Sequence, residues 1–199
     1  MPYRRTTAVQ ERLDAARARL LDAAEHQVRA HGWAGCSVAA VAEAAGVATG
    51  TVYRHLPDKA ALLVEVFRIA SQREVDAVAA AANGTGPVVA CVARCVEVFA
   101  QRAFAAPRLA YALLAEPASP EVEAARLEYR RAYRAVFAAL VAEGVERGEL
   151  PAQDAEVAAA AIVGALAEVL VVPLRDGALP RGTLHALTAT TLRTLGAPA

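Results

Sequence analysis

Residues 37–62 read SVAAVAEAAGVATGTVYRHLPDKAAL, and the reading of this stretch decides the fold. Ser37 is a good N-cap, and Val38, Val41, Ala42 and Ala45 recur behind it at helical spacing. Gly46 stands where a helix stops in the left-handed conformation, which a residue without Cβ adopts at low cost. Val47 then supplies an apolar anchor for the turn. The segment from Ala48 to His55 carries Thr49, Thr51, Tyr53, Arg54 and His55. It is too short and too polar for a core helix and suits a helix laid on DNA. Pro57 ends it, and Asp58 can cap the next helix. Two short helices crossing over a glycine turn form a helix-turn-helix.

Outward from this stretch, residues 1–8 form a polar arm with Arg4 and Arg5. Leu13, Ala16, Leu20, Ala23, Ala24 and Val28 make one stripe of a helix from Val9 to about His31. His31 and Gly32 end that helix. Trp33 is expected to wedge between it and the helix-turn-helix as a core residue, not as a ligand-stacking ring. Beyond Asp58 a long helix runs to about Ala82 with the stripe Leu62, Leu63, Val66, Ile69, Ala70 and Val78. Asn83 to Pro87 is a loop. Helices are then predicted over Val88–Ala105, Arg108–Ala115 and Glu121–Gly148. Another follows Asp154 to about Val172, stopped by Pro173 and Gly177, and the last spans Pro180–Gly196. The pattern is all-α, about nine helices with no strand.

The chain has 199 residues, 56% of them apolar but only 5% aromatic, and its formal net charge is zero. Overall charge therefore does not advertise a nucleic-acid partner, although residues 1–60 hold eight Lys/Arg against six Asp/Glu. Three cysteines and no apolar run after the N-terminal arginines point to a reduced, cytoplasmic protein. Cys91 and Cys95 share a helix face. Two cysteines without a third or a nearby His make a poor metal site, so both are read as small buried apolar residues and no metal is expected. His26, His31 and His185 are scattered, and no catalytic constellation or phosphate-binding glycine loop stands out. No enzyme activity and no cofactor are expected. The run EVAAAAIVGALAEVLVVPL at 156–174 approaches the length of a membrane span. Glu168 inside it, the weak apolarity of alanine and the lack of a positive flank argue against a membrane. Its small residues Ala158, Ala161, Gly164, Ala165 and Ala167 instead allow close approach of another helix.

At residues 32–62, GWAGCSVAAVAEAAGVATGTVYRHLPDKAAL resembles the TetR family of bacterial transcriptional regulators. Gly46-Val47, the run Gly50 to Tyr53, His55, Lys59 and Leu62 match its most specific positions. The resemblance implies a three-helix DNA-binding domain, 9–57, on a ligand-binding and dimerisation domain, 58–197. It implies that Ser37, Thr51 and Tyr53 hold backbone phosphates, with Lys59 adding a charge beside a helix N-terminus. Thr49 and Gly50 would face base edges, His55 the rim of the groove, and Arg54 a guanine or a phosphate. The Tyr53 ring is expected to pack on the head's core. The alternatives are that His55 bonds a backbone carbonyl and that Lys59 is a solvated charge. Ala48 departs from the usual capping Ser or Thr, and Ala39 and Ala40 from polar base readers. Specificity then leans on Thr49, Arg54 and the Arg4/Arg5 arm.

The same resemblance implies three partners: a double-stranded DNA operator, a small-molecule effector and a second copy of the chain. The last two helices would pair across the dimer, with Leu184, Leu187, Thr191 and Leu195 on the seam. The two recognition helices would then lie roughly 34–36 Å apart. An effector would sit in the body. There Val122, Arg126, Tyr129, Tyr133, Val136 and Leu140 form one stripe, and Phe99, Arg102 and Tyr111 can converge on the same space. Inward-facing arginines would favour an anionic or carbonyl-bearing effector. In the alternative, the tyrosine hydroxyls reach the surface and Arg126 pairs with Glu123 or Arg130 faces water. The function expected is a ligand-responsive repressor that binds a palindromic operator as a dimer and is released by its effector. The other reading is a helical small-molecule-binding protein with little or no DNA readout, supported by the alanines at 39, 40 and 48.

Overall fold

The structure, a computed structural model, describes residues 7–197, so the Arg4/Arg5 arm lies outside the described residues. Among these residues the protein is all-α: α1 (Thr7–Gly35), α2 (Val38–Ala44), α3 (Thr49–His55), α4 (Lys59–Ala82), α5 (Val88–Ala105), α6 (Pro107–Leu114), α7 (Pro120–Glu146), α8 (Ala155–Asp176) and α9 (Thr183–Thr194). The boundaries have local causes. Asp58 Oδ1 accepts the Ala61 amide at 2.8 Å, and Asp154 Oδ1 accepts that of Val157 at 3.0 Å, so each carboxylate opens a helix. Prolines occupy the first turns of α6 and α7, where a missing N–H costs nothing. Pro173 does not end α8 as expected. It lies within the last turn, where it forfeits one hydrogen bond, and the helix runs on to Asp176 before Gly177 closes it at φ 73°.

Two apolar cores divide the molecule, and the change from one to the other falls inside α4. The first joins Leu20, Val28, Val41 and Val52 of the head to Leu62, Val66 and Phe67 of α4, and to Leu109, Ala112 and Val122. The second gathers Val78, the buried face of α5, the later half of α7, and α8 and α9. Ile69 was expected on the buried stripe of α4 but is exposed, because Phe67, Ala70 and Ser71 define a face rotated away from it.

Trp33 is a core residue as expected, and it also reaches α4 and α6. It is buried (2% exposed), 6.2 Å from Phe67 centroid to centroid, and its indole Nε1 donates to the Ala112 carbonyl of α6 at 2.7 Å. The tryptophan therefore fastens the head to the body. The joint extends along the chain, since the Trp33 amide donates to Glu116 Oε2 at 3.1 Å and Arg108 donates to the His31 carbonyl at 3.1 Å. Gly32 makes this approach possible. The helical path breaks there at φ 69°, and a Cβ would lie 2.5 Å from both Glu116 carboxylate oxygens.

The face of α9 bearing Leu187, Thr191 and Leu195 is buried within the protomer's own second core, and Leu184 packs against the same core. These residues do not lie on an outer seam, because α9 needs its one apolar stripe to dock on α5 and α8. On α8, Ala159, Ile162, Leu166, Leu170 and Leu174 face inward. Its other side carries Val157 (66% exposed), Ala161, Gly164, Ala165, Val169 and Val172 (50% exposed) in open space. Among the described residues α8 is the one helix long and apolar enough, by length and composition, to cross a membrane, and here it packs against α5, α6, α7 and α9.

Candidate nucleic-acid interface and effector cavity

The turn between α2 and α3 is a Schellman motif. Gly46, at φ 66°, donates to the Glu43 carbonyl at 3.0 Å, and Val47 donates to that of Ala42 at 2.9 Å. Val47 packs on the first core beside the buried Val38, Val41 and Ala42, and Val52 and Leu56 anchor α3 from below. That anchoring uses the whole apolar content of α3 and turns its remaining side chains outward. Thr49, Gly50 and Arg54 are exposed, and Thr51 and His55 are half-buried.

Ser37 Oγ accepts the Ala40 amide at 3.1 Å, so it caps α2 as expected and keeps its hydroxyl proton for another acceptor. Tyr53 departs from expectation, because its ring is 51% exposed and does not pack on the core. Thr49, Thr51, Tyr53, Arg54, His55 and Lys59 have no side-chain hydrogen bond or ion pair among the described residues. His55 thus makes none of the carbonyl bonds considered for it. Lys59 begins α4, where the Asp58 carboxylate accepts the Ala61 amide and leaves those of Lys59 and Ala60 without a side-chain acceptor among the described residues. The lysine charge and the two remaining amides of the first turn lie together there, as expected of a helix N-terminus suited to an anion. Ala48 provides no side-chain cap for α3, and a missing cap costs about 1 kcal/mol.

In the body, α4, α5, α6, α7 and α8 enclose a cavity of about 80 Å³. Phe67, Val78, Phe99, Leu113, Phe137 and Leu166 give it an apolar lining. Of the residues expected at an effector site, Phe99, Arg102, Arg126, Tyr129 and Tyr133 line it, and Tyr111 does not. The α6 face toward the cavity is Leu109, Ala110, Leu113 and Leu114, with Ala106 just before the helix. Tyr111 is turned about 100° past Ala110 and packs half-buried against the second core.

The two arginines are already committed. Arg102 donates from Nε and a terminal nitrogen to the two Glu74 oxygens, at 2.6 and 2.9 Å, and this bond holds its guanidinium above its ordinary pKa. Arg126 (7% exposed) donates to the carbonyls of Leu113 at 3.0 Å, Ala112 at 3.1 Å and Glu116 at 2.7 Å, and it pairs with Glu123. It braces the end of α6 and presents its stem to the cavity. The alternative in which Arg126 pairs with Glu123 is the one observed. The preference for an anion inside the cavity is withdrawn, because neither guanidinium is free to receive one.

The cavity's lining includes the hydroxyls of Ser71, Tyr129 and Tyr133, none of which has a hydrogen-bond partner among the described residues, and the unpaired Arg130. Tyr133 packs edge-on against Phe99 at 5.4 Å. Burial pushes its phenol well above the ordinary value, with Glu74 adding and Arg102 partly offsetting, so it stays protonated. Sequence reading missed Glu74 and Ser71. Their signal was present as two polar residues set into the apolar stripe of α4.

Cys36, Cys91 and Cys95 are buried and free. Burial pushes the Cys36 and Cys95 thiols up to about 11, as for inert core cysteines. Among the described residues no group of three or more His, Cys, Asp or Glu side chains is placed to hold a metal.

Two family profiles match the chain: bacterial regulatory proteins of the tetR family over residues 20–66, and the tetracyclin repressor-like C-terminal domain over 85–171. Together they cover more than half of it. No curated protein sequence matches. Among solved structures, the fatty acid degradation regulator FadR from Bacillus halodurans is 25% identical with a TM-score of 0.73, over 92% of this chain and 99% of that one. FadR from Bacillus subtilis, solved with stearoyl-CoA, is 20% identical with a TM-score of 0.75, over 89% and 96%. RolR, solved with resorcinol, is 20% identical with a TM-score of 0.71, over 96% and 92%.

Proposed function

We propose, for a chain that belongs to the TetR family, a repressor that holds a palindromic operator as a homodimer and lets go when an effector fills the body cavity. Family membership makes the protein a non-enzymatic, ligand-responsive, DNA-binding transcriptional regulator. Repression, dimerisation and release are the finer reading. In it, residues 9–57 form the DNA-binding part and 58–197 the effector and dimer part. The protein acts in the cytoplasm, where its operator is. The clamp is Ser37, Thr51, Tyr53 and Lys59 on phosphates, with Thr49, Gly50, Arg54 and His55 toward the groove.

The observation that carries this reading is the Trp33 joint. Ala112 accepts the Trp33 indole from the head side and Arg126 from the body side, and the helix that bears it walls the cavity. A ligand binder with no DNA readout would have no use for a joint between its cavity wall and its head. The size of the cavity supports the same mechanism. At about 80 Å³ it is smaller than the roughly 150 Å³ that takes up benzene, so a larger effector must extend through its opening or part the walls, α6 among them. Differential affinity for the parted state then moves the equilibrium between DNA-holding and DNA-free forms.

The open side of α8 supports the homodimer. Gly164 has nothing within 4 Å of where a Cβ would sit, so the protomer itself does not need a glycine there, whereas close approach of a second α8 does. Two similar structures hold ligands as different as stearoyl-CoA and resorcinol, and the apolar lining here suits the hydrocarbon of either.

A band-shift titration with promoter DNA flanking the protein's own gene tests the function. The effector for it comes from a thermal-shift screen, in which a ligand at 100 times its Kd adds about 2.7 kcal/mol. The wild-type protein retards the DNA and the effector releases it. Trp33→Phe retards the DNA but responds weakly to the effector. Failure to bind that DNA selectively at any salt concentration sinks the proposal.

A further inference from the structure

Beside the apolar cavity lies a second cleft of about 250 Å³, and the two share Leu114, Arg130, Val163 and Ala167 in their walls. The cleft adds Arg134 of α7 and Gly164 and Glu168 of α8, so it borders the face proposed above for a second copy. Arg130 and Arg134 stand one turn apart on α7, both exposed, and neither has a carboxylate within 4 Å among the described residues. Glu168 borders the same cleft without pairing to either. The polarity therefore runs one way. Inside, the walls are hydrocarbon, and the guanidiniums of Arg102 and Arg126 are spent on Glu74, Glu123 and backbone carbonyls. At the shared opening, two guanidiniums are unspent.

We infer that the effector is an amphipathic anion, with its hydrocarbon in the cavity and its anionic head on Arg130 and Arg134. This rests on the reading of the cavity as the effector site and adds to it a headgroup seat and a ligand class. Guanidinium groups suit carboxylate and phosphate equally, because both present paired oxygens to the planar fork. The shared chemistry is thus an acyl chain ending in negative charge, whether a free carboxylate or the phosphates of an acyl-CoA. A neutral apolar molecule could fill the cavity but would leave both arginines unused. A compact anion without a chain could meet them but would leave the cavity empty.

The test uses decanoate, decanoyl-CoA and decanol, with binding to the full-length protein followed through Trp33. That residue is the chain's one tryptophan and lies beside Phe67 in the cavity wall. At least one of the two anions binds about tenfold or more tightly than decanol, as two charge-assisted contacts allow. The double variant Arg130→Gln/Arg134→Gln, which keeps most of each stem and removes the charge, abolishes that advantage, so that the anions bind it no more tightly than decanol does. Raising the salt concentration weakens the anion and not the alcohol. Which anion gains more identifies the headgroup as carboxylate or phosphate. Decanol binding as tightly as both anions, or a double variant that keeps the anion's advantage, overturns the headgroup seat while the cavity reading stands. If none of the three binds, both readings fall.

Discussion

On the head, Thr49, Thr51, Tyr53, Arg54, His55 and Lys59 carry no partner among the described residues. In the body, the equally polar Arg102 and Arg126 are engaged by Glu74, Glu123 and three carbonyls around the end of α6. Both regions belong to a proposed ligand site, yet they treat polar groups oppositely. Exposed groups on the head are solvated until DNA arrives and cost nothing while unpaired. A buried charge in the body, as on Arg126, must be paired at once or destabilise the fold. Polar side chains on the head are therefore free to bind, whereas in the body Arg102 and Arg126 serve as struts and only groups at the opening, Arg130 and Arg134, stay free.

The sharpest way to break this contrast is Arg126→Ala. It leaves the carbonyls of Ala112, Leu113 and Glu116 short of a donor and should cost about 3 kcal/mol in urea unfolding. A loss below about 1 kcal/mol would make Arg126 a ligand group after all. Next in size, Lys59→Ala should leave unfolding within about 0.5 kcal/mol of the parent. It should weaken DNA binding alike on all sequences and lower the salt slope by about 1, as loss of one phosphate contact does. An unchanged slope would return Lys59 to the ordinary solvated surface. The smallest effect is a gain. Ala48→Ser supplies the cap that α3 lacks and should add up to about 1 kcal/mol to stability. A thermal melt with no increase would show that α3 is held by Val52 and Leu56 alone.

The same contrast explains what could be read from the residues in chain order. The head was legible because its signals are local: a serine cap, a glycine at the turn, Pro57 and an aspartate cap within a short span. Helix limits such as those at Asp58 and Asp154 were legible for the same reason. In the body, the α7 stripe was legible as a periodicity, but its roles depend on what packs opposite. Arg126 lies on the stripe and still points its charge at the end of α6, while Tyr111 is turned away by the pitch of an eight-residue helix. Pro173 resembled a stop because a proline's local rule ignores how little helix remains beyond it. Leu187 and Leu195 resembled a dimer seam because an apolar stripe does not say whose core it fills.

Gly32 has a genetic consequence. Any other residue there must accept a left-handed backbone and displace the Glu116 carboxylate, which lies within 2.5 Å of the missing Cβ. The position touches neither the α3 side chains that face outward nor the cavity lining. A screen for alleles that keep operator binding yet ignore the effector should therefore return Gly32, Trp33 and Glu116. Such alleles would map the joint between head and body from the bench, without a ligand in hand.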